Sequence, residues 1–220
     1  MHVDALVFSA PHTCEVVSYD LPTDLGPDEV LVRNRLGMIS PGTELAIFCH
    51  THRGFDVEGH WARFPYYPGY CNIGVVEAVG ANVKHLAPGT RVMHQAHHST
   101  ETRQPASAVV AVGDLADERA VFLKLLGIAL TPQLLSPVRF GGPALVIGLG
   151  LVGNLAAQLC REAGAYPVAA VDTAPQRVEW ARACGIDARV ARDGASAPYV
   201  IEAVGLAAAL RAALDAVEPD

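Results

Sequence analysis

Between residues 1 and 130 the apolar positions come in short runs broken by polar turn formers. Ala5–Phe8, Glu15–Tyr19, Glu29–Asn34, Gly74–Val79, Arg91–His94 and Ala108–Val112 each read as a strand, separated by Pro, Gly, Asn and Asp. This pattern predicts an all-β unit, sandwich or barrel. A helix is expected over Asp117–Leu130, where Val121, Phe122, Leu125 and Leu126 recur at near-helical spacing behind a possible cap at Asp114. Residues 131–143 hold Pro132, Pro137 and Gly141-Gly142 and read as the joint to a second domain, 144–220.

After the joint the pattern changes to strand–helix alternation, which predicts a parallel α/β sheet. Strands are expected at Ala144–Ile147, Pro167–Val171, Ala188–Ala191 and Tyr199–Val204, and helices at Gly153–Ala163, Pro175–Cys184 and Leu206–Val217, before Glu218-Pro219-Asp220. A complete dinucleotide fold has about six strands, so these four predict one whole mononucleotide half and the opening of the second. The pattern is that of a fragment of a longer protein, or of a sheet without its later strands.

The first strand–helix junction carries the most specific chemistry. Ala144–Ile147 runs into Gly148-Leu149-Gly150-Leu151-Val152-Gly153, and an apolar-faced helix follows. Gly148 suits a tight turn, Gly150 a close approach of pyrophosphate to backbone, and Gly153 close helix–strand packing. The helix N-terminus at Leu151 and Val152 offers N–H groups and partial positive charge to phosphates. Asp172 ends the second strand and can accept hydrogen bonds from the adenosine ribose, which favours NAD over NADP. Arg177 is close enough in sequence to soften that preference, or is a solvated helix residue.

Composition narrows the remaining classes. The formal net charge is −7 with no basic block, so neither nucleic acid nor an anionic membrane is expected as partner. No apolar run reaches the ~18 residues of a membrane span, and the N-terminus does not read as a signal peptide. Five scattered cysteines without a CxxC argue against a disulfide framework and predict a cytoplasmic protein with reduced thiols.

Several stretches resemble the medium-chain dehydrogenase/reductase superfamily. They are Asp28–Val32 leading to Gly37-Met38-Ile39-Ser40, Pro68-Gly69-Tyr70 running into Gly74–Gly80, Val83 through Pro88-Gly89-Thr90-Arg91-Val92, and the cofactor core from Val146 to Asp187. The resemblance implies an N-terminal GroES-like β-barrel domain joined to a Rossmann doubly wound sheet. It also implies NAD(P)-dependent hydride transfer between nicotinamide and an alcohol or carbonyl, and a small-molecule substrate. A homodimer is one expectation for a full-length form. Ser40–Glu44 with Pro68–Tyr70 is similar to a non-zinc branch that includes bacteriochlorophyllide dehydrogenase-like members.

The departures from the family pattern matter equally. Zinc-dependent members place a cysteine at Ser40, a His-Glu pair at Tyr70-Cys71 and a further cysteine near Gly127. Serine, tyrosine and glycine do not make a zinc ligand set, so no zinc is expected at the inherited site. The resemblance puts Ser40 and Tyr70 at the nicotinamide end of the cleft, which makes Tyr70 a candidate proton donor and Ser40 its orienting partner. Tyr70 as a packing residue is the competing reading. Glu44 is a candidate base or charge partner, or an ordinary helix-start acid. Cys71 reads as a small buried residue.

All nine histidines precede residue 99. His94, His97 and His98 read as solvated loop residues. The alternatives are a shared ion, joined by His50, His52 or His60, or a proton shuttle. The leading expectation is a zinc-independent NAD-preferring oxidoreductase. The second is a truncated, non-catalytic dinucleotide-binding module.

Overall fold

The computed structural model describes residues 1–190 and 195–218. The chain divides into two compact units, Met1–Lys124 and Leu125–Asp220.

The first unit opens with an antiparallel hairpin, β1 (His2–Ala10) and β2 (Thr13–Asp20). Five further strands are β3 (Glu29–Gly37), β4 (Asn72–Val79), β5 (Arg91–His94), β6 (Glu101–Pro105) and β7 (Val109–Ala111). They form one antiparallel sheet in the order β6-β3-β4-β5-β7. Register shifts in the β3–β4 pair, between Leu31 and Val32 and between Asn34 and Leu36, are of the kind that bend a sheet toward closure. Val30, Val32, Val76, Val83, Leu86 and Val92 make its core. A short helix, α1 (Thr43–Phe48), follows β3.

One strand of this unit was not legible as a pattern, and one helix was read with the wrong bounds. Strand β6 reads Glu-Thr-Arg-Gln-Pro; only Thr102 is buried and no apolar alternation marks it. It lies at the sheet edge, where polar residues and a terminal proline are tolerated. The helix expected over Asp117–Leu130 is two helices, α2 (Asp117–Ala120) and α3 (Leu123–Leu135). Helix α3 continues through Pro132 into the stretch expected as joint, and the Thr131 hydroxyl donates to the Gly127 carbonyl at 3.1 Å.

The second unit alternates β8 (Ala144–Ile147), α4 (Leu151–Glu162), β9 (Val168–Asp172), α5 (Pro175–Ala183), β10 (Asp187–Val190), β11 (Tyr199–Glu202) and α6 (Ala207–Ala216). All four strands are parallel, in the order β10-β9-β8-β11. Residue 191, expected at the end of the third strand, and residues 219 and 220 lie outside the described residues. Every residue of β8 is buried because both faces of the sheet are covered. Ala144 and Val146 pack with Ala156, Ala157 and Cys160 of α4 and with Val178 and Ala181 of α5. Leu145 and Ile147 pack with Ala213 and Ala216 of α6. A GroES-like β-unit and a partial Rossmann sheet are thus both present, as expected.

Leu145 is 1% exposed, so Leu145→Ala should destabilise by about 2–5 kcal/mol. Urea unfolding followed by circular dichroism will measure this.

Candidate functional site

The glycine turn is shaped by close approach. Gly148 has φ +94°, and a Cβ there would lie 2.5 Å from Val204 Cγ2. A Cβ on Gly153 would collide with the Gly148 backbone, so α4 rests directly on the turn. Gly150 behaves differently: a Cβ there would meet no atom within 4 Å. It is the N-cap of α4 and provides no side-chain cap. The first helical bond of α4 runs from Asn154 N to Gly150 O at 2.9 Å. The N–H groups of Leu151, Val152 and Gly153 therefore precede the helical ladder and have no partner within it. This cradle fits a dinucleotide pyrophosphate.

Asp172, at the end of β9, is only 7% exposed. Its Oδ2 accepts from Leu149 N at 2.7 Å and its Oδ1 from Ala174 N at 2.8 Å. Arg177 Nη1 lies 3.6 Å from Oδ2. The carboxylate therefore ties the glycine turn to the neighbouring strand, a task that the ribose-acceptor reading did not include. Each carboxylate oxygen keeps further lone-pair capacity, so a ribose hydroxyl can still be accepted. An adjoining groove of about 400 Å³ is lined by Ile147, Val171, Val204 and Leu206 together with Asp172 and Arg177. Its apolar walls suit the flat face of a purine. Glu202 fixes the loop after β11, accepting from Val204 N at 2.7 Å and Gly205 N at 2.9 Å.

A second cluster sits within the β-unit. Ser40 and Glu44 are both buried, and Glu44 Oε2 accepts from Ser40 N at 2.6 Å. Burial raises the pKa of the Tyr70 phenol above the ordinary 10; the neighbouring Ser40 and Thr43 side chains oppose the rise, and the Glu44 carboxylate adds to it. Tyr70 is therefore a neutral phenol at physiological pH. Thr43 was missed at the sequence level; only its place in the Ser40–Glu44 run pointed to it. Glu44 lies in the first turn of α1, but its side chain is fully buried rather than facing solvent as a helix-start acid would. Cys71 is buried, and burial pushes its thiol up to about 12, with the Glu44 carboxylate adding to the shift.

The histidines expected to be solvated loop residues are not. His94 and His98 are buried, because β5 and the chain leading to β6 are enclosed by hydrogen bonds. His94 Nδ1 accepts from Ala96 N at 3.2 Å, and its Nε2 meets Asn34 Oδ1 at 2.6 Å. Burial pushes its pKa down to about 4, with His97 and His98 adding to the shift. His97 Nε2 is 3.0 Å from the Tyr19 hydroxyl, and His98 Nε2 is 3.3 Å from Glu44 Oε1. His52 and His60 each accept a backbone N–H, from Gly54 and Ala62, both at 3.0 Å. Among the described residues no three His, Cys, Asp or Glu side chains are placed to hold a metal ion together. Two neutral hydroxyls, Ser40 and Tyr70, and a glycine do not fit the zinc set of the resemblance.

Residues 26–127 match the alcohol dehydrogenase GroES-like domain. Together with the glycine turn and the parallel sheet, this match makes the chain similar to the medium-chain dehydrogenase/reductase superfamily. A D-xylulose reductase from Saccharomyces cerevisiae is 22% identical over 214 residues, covering 83% of this chain and 59% of that protein. A D-guloside 3-dehydrogenase from Escherichia coli is 27% identical over 210 residues, covering 83% and 57%. The chain thus spans less than three-fifths of the length of these relatives. A solved structure described as a short chain alcohol dehydrogenase from Escherichia coli CFT073, complexed with NADH, covers 99% of this chain and 74% of its own at 20% identity, with TM-score 0.83. That likeness concerns the fold. Among the described residues of this chain, no helix is long and apolar enough to cross a membrane.

His94 gives a pH prediction. Its native pKa lies below the ordinary 6.5, so the unfolded chain binds more protons in acid. The stability it contributes is present above 6.5 and is lost as pH falls toward 4, by up to about 3 kcal/mol. Urea midpoints at pH 7 and pH 5 will register the fall, and ¹⁵N NMR at pH 5.5 should find the His94 ring neutral.

Proposed function

We propose that this chain is part of an NAD-preferring oxidoreductase of the medium-chain dehydrogenase/reductase type that interconverts an alcohol and a carbonyl without zinc. The observation that carries this reading is the open N-terminus of α4 beside the carboxylate-fastened glycine turn. The N–H groups of Leu151, Val152 and Gly153 hold the pyrophosphate. Asp172 accepts from the ribose hydroxyls, and its negative charge disfavours a 2′-phosphate; Arg177, paired to it, moderates that effect. The nicotinamide, when bound, supplies or accepts the hydride.

In the β-unit Tyr70 carries the proton exchanged with the substrate oxygen. Its raised pKa keeps the phenol protonated until charge develops on that oxygen. Ser40 and Thr43 hold its hydroxyl in one orientation. The Ser40 and Tyr70 donor set supports a zinc-independent route in which a hydroxyl gives the electrophilic help. The names of the relatives above support a polyhydroxylated small molecule as substrate. Five free cysteines, two of them buried, support a reducing compartment such as the cytoplasm.

The full-length protein, treated with a chelator, should oxidise NADH or reduce NAD with a member of a panel of polyols, sugars and ketoses, followed at the NADH absorbance band. Tyr70→Phe should lower kcat by about 10²–10⁴-fold while NADH affinity is unchanged. Loss of turnover on chelation, or an unimpaired Tyr70→Phe, contradicts the reading. Saturable NADH binding with no turnover on any substrate favours a dinucleotide-binding module instead.

A further inference from the structure

Beneath the hydroxyl cluster lies a polar chain that crosses three parts of the β-unit. His98 sits between β5 and β6, and its backbone is held at both ends. Its N–H donates to Pro68 O at 2.7 Å, and its carbonyl accepts from Leu6 N at 2.9 Å. The imidazole is packed just as closely: a Cβ on Gly37 would lie 2.6 Å from His98 Nδ1 and 2.8 Å from Asn72 Oδ1. The ring has no room to retreat.

The neighbours of the ring dictate its protons. Asn72 Nδ2 donates to Ala96 O at 2.6 Å, so the amide oxygen of Asn72 must be the atom facing His98 Nδ1, at 2.8 Å. An amide oxygen only accepts, hence Nδ1 carries a hydrogen. The other ring nitrogen, Nε2, faces Glu44 Oε1 at 3.3 Å. Both atoms are buried, and among the described residues neither makes a hydrogen bond to any partner, so this 3.3 Å approach is the one polar contact the two atoms have. A neutral imidazole with hydrogen on Nδ1 would set its Nε2 lone pair against an ionised carboxylate, leaving two buried acceptors face to face. That arrangement costs the desolvation of both groups. One added proton satisfies both atoms, either as imidazolium with carboxylate or as imidazole with carboxylic acid.

We infer that Glu44 and His98 share one buried proton, and that the pair is a positioning device holding Ser40 against Tyr70. This rests on the reading of Tyr70 as the proton donor. Glu44 Oε2 grips Ser40 N, and the Ser40 and Thr43 side chains, on either side of that grip, neighbour the Tyr70 hydroxyl. The ionisable neighbours of the pair are Tyr66, Tyr70 and Cys71 around Glu44, and His94 and His97 beside His98. Glu44 and His98 act through Ser40.

Nuclear magnetic resonance on the full-length protein, labelled with ¹⁵N-histidine and ¹³C-glutamate, tests the shared proton without substrate or cofactor. The expected result at neutral pH is a doubly protonated His98 ring, or a Glu44 carboxyl in its acid form. A neutral His98 beside an ionised Glu44 overturns the inference. Glu44→Gln supplies the missing hydrogen from its own amide while its oxygen still accepts from Ser40 N, so His98 should become, or stay, neutral with hydrogen on Nδ1. A doubly protonated His98 in that variant also overturns the inference.

The positioning role is read from Ser40 amide exchange. The amide should be protected in the native protein and in Glu44→Gln, and exchange about tenfold or more faster in Glu44→Leu. Equal protection in Glu44→Leu overturns the positioning role. Given turnover, Glu44→Leu should lower kcat more than it raises KM, and Glu44→Gln should restore it. If the spectra and exchange agree but no substrate turns over, the oxidoreductase reading fails and the buried pair stands.

Discussion

The carboxylate of Asp172 fastens the glycine turn to the end of the adjacent strand, and the geometry of the nucleotide cradle follows from that contact. A buried carboxylate needs donors, and here the Leu149 and Ala174 N–H groups supply them. Leu149 lies between the two glycines that bend the chain. Fixing its N–H sets where the turn reverses, and so where the first N–H groups of α4 point. Gly148 and Gly153 keep helix and turn in contact, which leaves little freedom for the cradle to drift. In the proposed function the same charge that organises the backbone would also meet the ribose.

The β-unit follows a related logic with a neutral outcome. Burial raises the Tyr70 phenol and the Cys71 thiol and lowers His94, so each holds its uncharged form near neutral pH. Glu44 and His98 are the buried pair among these neutral groups, and one shared proton reconciles them. In both units a buried carboxylate grips a backbone N–H beside the residues that would touch ligand: Asp172 at Leu149 and Glu44 at Ser40.

The parallel sheet was readable because its central strand is apolar on both faces and its turn needs glycine at fixed positions. Asp172 stood out for the same reason, since an acid at the end of a buried strand is costly unless used. The second duty of Asp172 was hidden, because a hydrogen bond to Leu149 N leaves no mark on side-chain identity. Strand β6 was hidden because edge strands carry polar residues, and the extent of α1, beyond its start near Glu44, because a six-residue helix shows too little periodicity. The burial of Glu44 and His98 depends on a contact between residues far apart in the chain, so local pattern assigned both to solvent.

The central claim is that the turn from Gly148 to Gly153 holds a dinucleotide, and titration of the ¹⁵N-labelled protein with NADH tests it most directly. The account predicts saturable shifts of the Leu151, Val152 and Gly153 amides, accompanied by Val204 at the edge of the apolar groove. Amide spectra that stay unchanged at millimolar NADH, or that shift only at residues away from this turn, would contradict it.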